Sequence, residues 1–461
     1  MTIRALDNQL KRFELGERLV RRNPLFYATT HRQLAQLEQQ GFDRRKAWTQ
    51  ARLRRMLSIA AGTPYGRSVG GTEDFATWPL LNKEAVRDAP TWFHSGRTWF
   101  TAQASTGGTT GVPIELIRSP QSVVAEQVCL DRMMIGLGVE PTNARTAVLR
   151  GDNIKDPSDL TPPFWRYALG GRRLLMSSNH LTPTTLSHYL DELRKFDPEV
   201  LWVYPSSLEL FCRLISASDE RLKIPRVLSS SEVLKPSAWL LARQVLGCKI
   251  ADYYGQAERV AFAFAVAPTQ YFFLPGYSYV ELLPHSTEDS EPVFEIVGTS
   301  LWNEAMPLIR YRTGDLVRLP REYGEREREQ IAYGMCAFDS VIGREQDVLY
   351  SPDRMRVLTG IDHIQREVEH VVRIQIVQDA LDRVLIRVIP ARGFCEADAK
   401  RLERNARNKI PRLIDLKIEV TETLERTHQG KTPFVIHRPQ VREAIRQAGL
   451  TVRETQEEIR E

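Results

Sequence analysis

Apolar residues recur at helical spacing across residues 26–57, with one interruption near Gly41, so residues 1–100 read as mainly helical and polar. The stretch TPYGRSVGG at 63–71 predicts a turn that closes this region. From Gln121 onward the pattern alternates. Residues 123–135 predict an apolar helix, and RTAVLR at 145–150 predicts a strand. A helix is expected over 183–196, a buried strand at 200–204 (VLWVY) and a helix at 208–215. A short strand at 226–229 (RVLS), a proline-led helix at 236–245 and a strand at 249–253 (KIADY) follow. Strands alternating with helices predict a mostly parallel sheet covered on its faces, and ligands of such folds sit at the carboxyl ends of strands.

Beyond Pro268 the texture changes. YSYVELL and VFEIVG predict antiparallel strands, and REYGEREREQ at 321–330 reads as a solvated, charged loop. After Gly343 a small α+β unit is expected. It has paired strands at 371–377 and 383–389, an amphipathic helix over 396–410 and a further strand at 416–420.

Composition narrows the class. The 461 residues suit two or three domains, and 42% hydrophobic with 26% charged residues is a globular balance. A net charge of +5 does not demand nucleic acid, though anionic ligands are welcome. No apolar run approaches the roughly 20 residues that span a bilayer, and the charged N-terminus lacks the apolar block of a signal peptide. A cytoplasmic protein with no membrane partner, monomeric or homodimeric, is expected. The five cysteines, at 129, 212, 248, 336 and 395, lack zinc-cluster spacing and read as reduced, mostly buried thiols.

One segment stands out chemically. STGGTTGVP at 105–113 opens with three glycines and four hydroxyl residues in seven positions, too flexible for a helix or packed strand. It reads as a phosphate-binding loop or a plain flexible loop. No Gly-Lys-Ser/Thr ends it, so it is not a Walker loop, and no GxGxxG follows a strand.

STGGTTGVP resembles the phosphate loop of the adenylate-forming (ANL) superfamily: acyl-CoA synthetases, luciferases and peptide-synthetase adenylation domains. Five more segments resemble its motifs in order. SSSEVL at 229–234 is similar to the adenine-side segment and DYYGQAE at 252–258 to the aromatic-Gly-x-x-Glu motif. YRTGD at 311–315 is similar to the ribose motif, GREQD at 343–347 to the interdomain hinge and QGK at 429–431 to the segment of the mobile lysine. The short helical N-terminus, TPYGR and SSSEVL resemble the phenylacetate–CoA ligase branch in particular.

The resemblance implies an α/β fold. A large N-terminal domain of mixed sheets and covering helices (1–343) precedes a small, mobile α+β C-terminal domain (344–461). It implies ATP-dependent conversion of a carboxylic acid to an acyl-adenylate, then transfer to a thiol, coenzyme A first among candidates. Transfer to a carrier-protein thiol or an amine is the alternative, and a degenerate nucleotide-binding regulatory module is an alternative of another class. Ser105, Thr106, Gly107, Gly108, Thr110 and Gly111 would cradle phosphates, with Thr109, Glu258 and Lys431 in catalytic roles and Glu258 holding Mg²⁺. Ser231, Glu232, Asp252, Tyr253, Tyr254, Gly255 and Gln256 would surround the nucleotide, Asp315 would bind ribose hydroxyls, and Arg344 a phosphate or the hinge. Trp202, Tyr204, Pro205, Tyr253 and Phe262 would wall an acyl pocket suited to an aromatic acid. Plainer alternatives stand beside each: a core aromatic, a capping Asp, a surface ion pair. His180 and His188 read as surface residues. The hinge departs from its family pattern at Gln346, and only Cys336 remains where the branch often pairs cysteines.

Overall fold

The computed structural model describes residues 17–98, 100–105, 114–150, 154–155, 159, 161–178, 180–285, 292–344, 349–350, 352, 356–357, 364, 368, 370–407, 410, 414–426 and 432–447. Two N-terminal helices, Tyr27–Glu38 and Phe42–Ala61, meet at Gly41, as the interrupted periodicity predicts. A short helix, Pro64–Ser68, stands where a turn was expected, because the Thr63 side chain accepts from Gly66 N and caps it. A two-stranded antiparallel ribbon follows, β1 (Ala102–Ser105) and β2 (Glu115–Arg118).

The central sheet has eight strands: β3 (Thr146–Arg150), β4 (Trp165–Ala168), β5 (Arg173–Ser177), β6 (Val200–Val203), β7 (Arg226–Ser230), β8 (Lys249–Gly255), β9 (Phe262–Ala265) and β10 (Tyr271–Phe273). Their order is β10-β9-β8-β7-β6-β3-β5-β4, parallel from β5 to β8 and antiparallel at both edges. Both faces of the inner parallel strands are buried, which is why β3, β6 and β7 read as continuous apolar runs. Leu149, Leu201, Val203, Val227 and Ile250 face the helices Leu186–Phe196, Pro205–Ser216 and Pro236–Leu246. Val200, Leu228, Ala251 and Phe262 face the N-terminal helices and the helix Pro120–Gly136. The chain leaves β3 for β5 on one side and returns to β6 on the other, so strand order reverses at β3.

A second, antiparallel sheet runs in order β11 (Ser278–Pro284), β12 (Val293–Ser300), β13 (Tyr311–Arg318) and β14 (Ser340–Arg344). The segment expected to be a charged loop instead forms the helix Glu325–Ala332. Its Glu, Arg and Gln residues are good helix formers, and the Glu327 carboxylate reaches back to Gly324 N at 2.9 Å.

The small two-stranded ribbon β15 (Leu349–Tyr350) and β16 (Arg356–Val357) leads to a four-stranded sheet. That sheet holds β17 (Val371–Ala380), β18 (Arg383–Pro390), β19 (Asp415–Val420) and β20 (Val435–His437) in order β19-β18-β17-β20. With the helix Glu396–Arg407 it builds a core of its own around Ile374, Ile376, Ile386, Leu402 and Ala406. Half-buried arginines join it to the rest. Arg373 donates to Ser206 O (3.3 Å), and Arg426 to Ser178 Oγ (3.3 Å).

Candidate functional site

The carboxyl ends of β3, β6, β7 and β8 converge with the start of β13, and sequence-predicted residues gather there. β8 ends at Gly255, and the following turn carries Glu258 into a buried position. Tyr311, the first residue of β13, donates a 2.7 Å hydrogen bond to Glu258 Oε1. Tyr254, near the end of β8, donates a 2.7 Å bond to Asp315 Oδ2 within β13. Each motif therefore supplies one tyrosine and one carboxylate, and each tyrosine serves the other motif's carboxylate. Gln256 reinforces the turn, donating to Tyr254 Oη at 3.1 Å and accepting from Ala261 N at 3.3 Å.

Two glycines permit this geometry. A Cβ on Gly298 of β12 would lie 2.1 Å from Val260 O, so only glycine lets the Glu258 turn settle on the second sheet. Gly314 turns the chain at φ +71° just before Asp315.

Two arginines lie beside the Glu258 turn. Arg118, at the end of β2, donates to Ala257 O at 2.7 Å, while its buried Nε meets no partner among the described residues. Burial, with the like charge of neighbouring Arg259, lowers that guanidinium to about 10. Arg259 donates to Ser122 O at 2.7 Å.

Two residues before Tyr254 and on the same face of β8, Asp252 is buried and accepts from Tyr271 Oη at 2.5 Å. Burial raises its carboxyl to about 7 against the pull of that hydrogen bond. Its Oδ1 and the Oγ of Ser229, its cross-strand neighbour, have no hydrogen-bond partner that meets ordinary geometry among the described residues. Asp252 therefore sits beneath the site rather than at its surface.

The expected acyl walls are rearranged. Phe262 is core: it lies behind Tyr253, ring centroids 5.3 Å apart and nearly parallel. Pro205 opens a helix and is buried. Trp202 and Tyr204 hold a residue the sequence did not single out, Arg150, whose guanidinium lies 5.0 Å and 4.7 Å from their ring centroids. Its Nη2 donates to Ser231 Oγ at 3.0 Å.

Glu232 is committed elsewhere. Its carboxylate accepts from Ser206 N (2.8 Å) and Ser206 Oγ (3.1 Å), capping the helix Pro205–Ser216. A carboxylate at a helix N-terminus is worth about 0.3–1 kcal/mol, so Glu232 stabilises β6–helix geometry instead of facing nucleotide. His180 is fully buried, not at the surface. Its Nδ1 pairs with Ser177 Oγ at 2.7 Å and its ring stacks on Phe164. His188 is exposed, as expected.

Thr106, Gly107, Gly108, Thr109, Thr110, Gly111 and Lys431 lie outside the described residues. Ser105 closes β1 opposite Glu115, and Arg344 pairs with Asp315 across β13–β14 through the backbone; their side chains also lie outside the description. Among the described residues no group of three or more His, Cys, Asp or Glu forms a metal-holding cluster. Cys336 is half-buried and hydrogen-bonds Gln330.

Crystal structures of 2-hydroxyisobutyryl-CoA ligase in the postadenylation state, with HIB-AMP ligands, superpose with TM-scores of 0.60 and 0.58. Both are 15% identical and cover 88% of this chain and 92% of that protein. The chain has the adenylate-forming ligase fold. Its C-terminal part, residues 349–438, matches the model of the CapK C-terminal domain. Protein CapK of Staphylococcus aureus is 21% identical over 340 residues, covering 72% of this chain and 73% of that protein. On this fold the two tyrosine–carboxylate bonds join the segments that resemble the aromatic-Gly-x-x-Glu and ribose motifs. Among the described residues no helix is long and apolar enough to cross a membrane.

Proposed function

We propose that this protein activates a carboxylic acid with ATP, forming an acyl-adenylate and releasing pyrophosphate, and then passes the acyl group to a thiol. The observation that carries this reading is the reciprocal pairing of Tyr311 with Glu258 and Tyr254 with Asp315, which sets two carboxylates at one edge of the central sheet.

Asp315 binds ribose hydroxyls, with Tyr254 fixing one of its oxygens and offering its ring to adenine. Glu258 fits a magnesium ion. One of its oxygens is held by Tyr311, and the other takes no hydrogen bond among the described residues. A single buried carboxylate shared with substrate phosphates is a usual magnesium arrangement. Magnesium supplies neutralisation where two anions, carboxylate and triphosphate, must approach. The chain's own contribution is positional. Arg118 adds positive charge beside Glu258, residues 105–111 cradle phosphates, and Lys431 neutralises the charge shared between carboxylate and α-phosphate. Coenzyme A is the thiol best supported, because the shared fold is that of a CoA ligase. A cytoplasmic location, where ATP and coenzyme A are available, follows from the reading.

ATP–pyrophosphate exchange over a panel of aliphatic, aromatic and dicarboxylic acids tests it. Acid-dependent exchange that Glu258→Gln reduces at least 100-fold is expected. Absence of exchange with every acid would overturn the reading, and exchange untouched by Lys431→Ala would remove that lysine from the first step. Adding coenzyme A, a carrier protein or an amine to the exchanging enzyme then identifies the acceptor.

A further inference from the structure

Arg150 is the last residue of β3, the strand at which the sheet order reverses, and ligands of open α/β sheets settle outside strand ends at such points. The strand that carries it is otherwise apolar, TAVLR. Three neighbouring structures hold the guanidinium: the Trp202 ring from β6, the Tyr204 ring just beyond it, and Ser231 Oγ beyond β7. Ser231 itself adopts φ +73°, a left-handed conformation that serine rarely takes.

The charge of Arg150 has no counter-ion among the described residues. Of the nearby acids, Glu232 is spent on the helix cap at Ser206, and Asp252 lies on the other face of the sheet. Among the described residues Arg150 Nε is buried without a hydrogen-bond partner, and so is the Trp202 indole Nε1 on the same face. By contrast, Arg310 and Arg312 in the second sheet meet Glu281 and Glu295. A half-buried guanidinium, held flat by two rings and left with spare donors, is matched to a planar anion.

We propose that Arg150 is a specificity-determining residue that binds a second carboxylate on the acyl portion of the substrate, so that the acid activated is a dicarboxylate. This rests on the adenylation reading above and adds the substrate class to it. The reacting carboxylate stays with ATP near Glu258, and the distal carboxylate meets Arg150 between Trp202 and Tyr204. A flat aromatic acid, by contrast, would have to displace the guanidinium from both rings.

The test compares acids of equal length that differ at one end, such as succinate with butyrate and glutarate with valerate, in pyrophosphate exchange. Wild type is expected to favour the dicarboxylate at least tenfold in kcat/KM. Arg150→Gln should erase that preference chiefly through KM, and Arg150→Lys should restore part of it; a merely structural role would lower both acids alike. A wild-type preference for the monocarboxylate, or a dicarboxylate preference that survives in Arg150→Gln, overturns the proposal. If no acid supports exchange, the adenylation reading fails on its own. Calorimetric titration with the same pairs then still decides, because dicarboxylate binding lost in Arg150→Gln upholds the Arg150 site, and equal or absent binding of both acids rejects it.

Discussion

Tyr311 Oη lies 2.7 Å from Glu258 Oε1, and this bond links the start of a strand in the second sheet to a turn leaving the first. Both residues are buried, so the bond fixes the carboxylate rather than decorating it. Removing the donor leaves a buried acceptor short of one partner, a loss of about 1–3 kcal/mol. Tyr311→Phe is expected to lower exchange kcat roughly tenfold, the equivalent of about 1.4 kcal/mol in the barrier. In a double-mutant cycle, Tyr311→Phe added to Glu258→Gln should cost little more than Glu258→Gln alone, because the tyrosine acts through the carboxylate. Additive losses would show that Tyr311 has a separate role.

Gly298 makes a prediction about space. A methyl group there would collide with Val260 O, and backbone cannot yield as a flexible side chain does. Gly298→Ala is expected to destabilise the fold by about 2 kcal/mol or more and to depress exchange beyond that, since the displaced turn carries Glu258. A variant with unchanged melting temperature and activity would contradict the close packing.

Asp252 makes a prediction about pH. Burial raises its folded pKa to about 7, above the ordinary value of 3.8. Below the ordinary value both folded and unfolded chains hold the proton, and the carboxyl costs nothing. As pH rises from there through the folded value, the unfolded chain ionises first and stability is lost. The loss is at most roughly 4 kcal/mol by linkage. Asp252→Asn keeps an acceptor for Tyr271 and removes the titration. Its stability relative to wild type should rise between about pH 4 and pH 7. Denaturant melts across that range that show a constant difference would exclude the titration.

Much of this arrangement is legible in the amino-acid order. Strands buried on both faces, such as TAVLR, VLWVY and KIADY, announce themselves because period-two alternation vanishes when neither face meets water. Glu258 and Asp315 are marked by short motifs. Other features are not local. Glu232 reads as a nucleotide-side residue until Ser206 N, 26 positions away in sequence, is found beside its carboxylate. His180 reads as a surface group because its cover, Phe164 and Ser177, comes from a separate loop and strand. The helix Glu325–Ala332 hides in a charge run, where propensity and the Gly324–Glu327 cap carried more information than polarity did. Arg150 had a signal that could have been used, a charge ending an otherwise apolar strand. Tyr311 had a weaker one, its place at the head of the ribose-like motif.

The arginines at the junction predict how the C-terminal unit is held. Arg373 is buried enough to lower its pKa, and it donates to Ser206 O on one side and Thr432 O on the other, both at 3.2–3.3 Å. Arg373→Met preserves bulk and removes both donors, leaving two carbonyls without them at about 1–3 kcal/mol each. Limited proteolysis should then release the C-terminal unit faster than in wild type, while the large unit keeps its melting temperature. Unaltered cleavage would show that the Arg426–Ser178 bond and the apolar contacts of Val372, Ile389 and Leu424 hold the junction without Arg373.

The most direct measurement follows an oxygen atom. With an accepted acid labelled with ¹⁸O in its reacting carboxylate, ATP and the acyl acceptor are added, and the nucleotide product is weighed by mass spectrometry. Attack of the carboxylate on the α-phosphorus, followed by acyl transfer, leaves one labelled oxygen on AMP in every turnover. Label in AMP, with none in inorganic phosphate, is the predicted result. Label in inorganic phosphate together with ADP, or AMP without label, would contradict acyl-adenylate formation at this site.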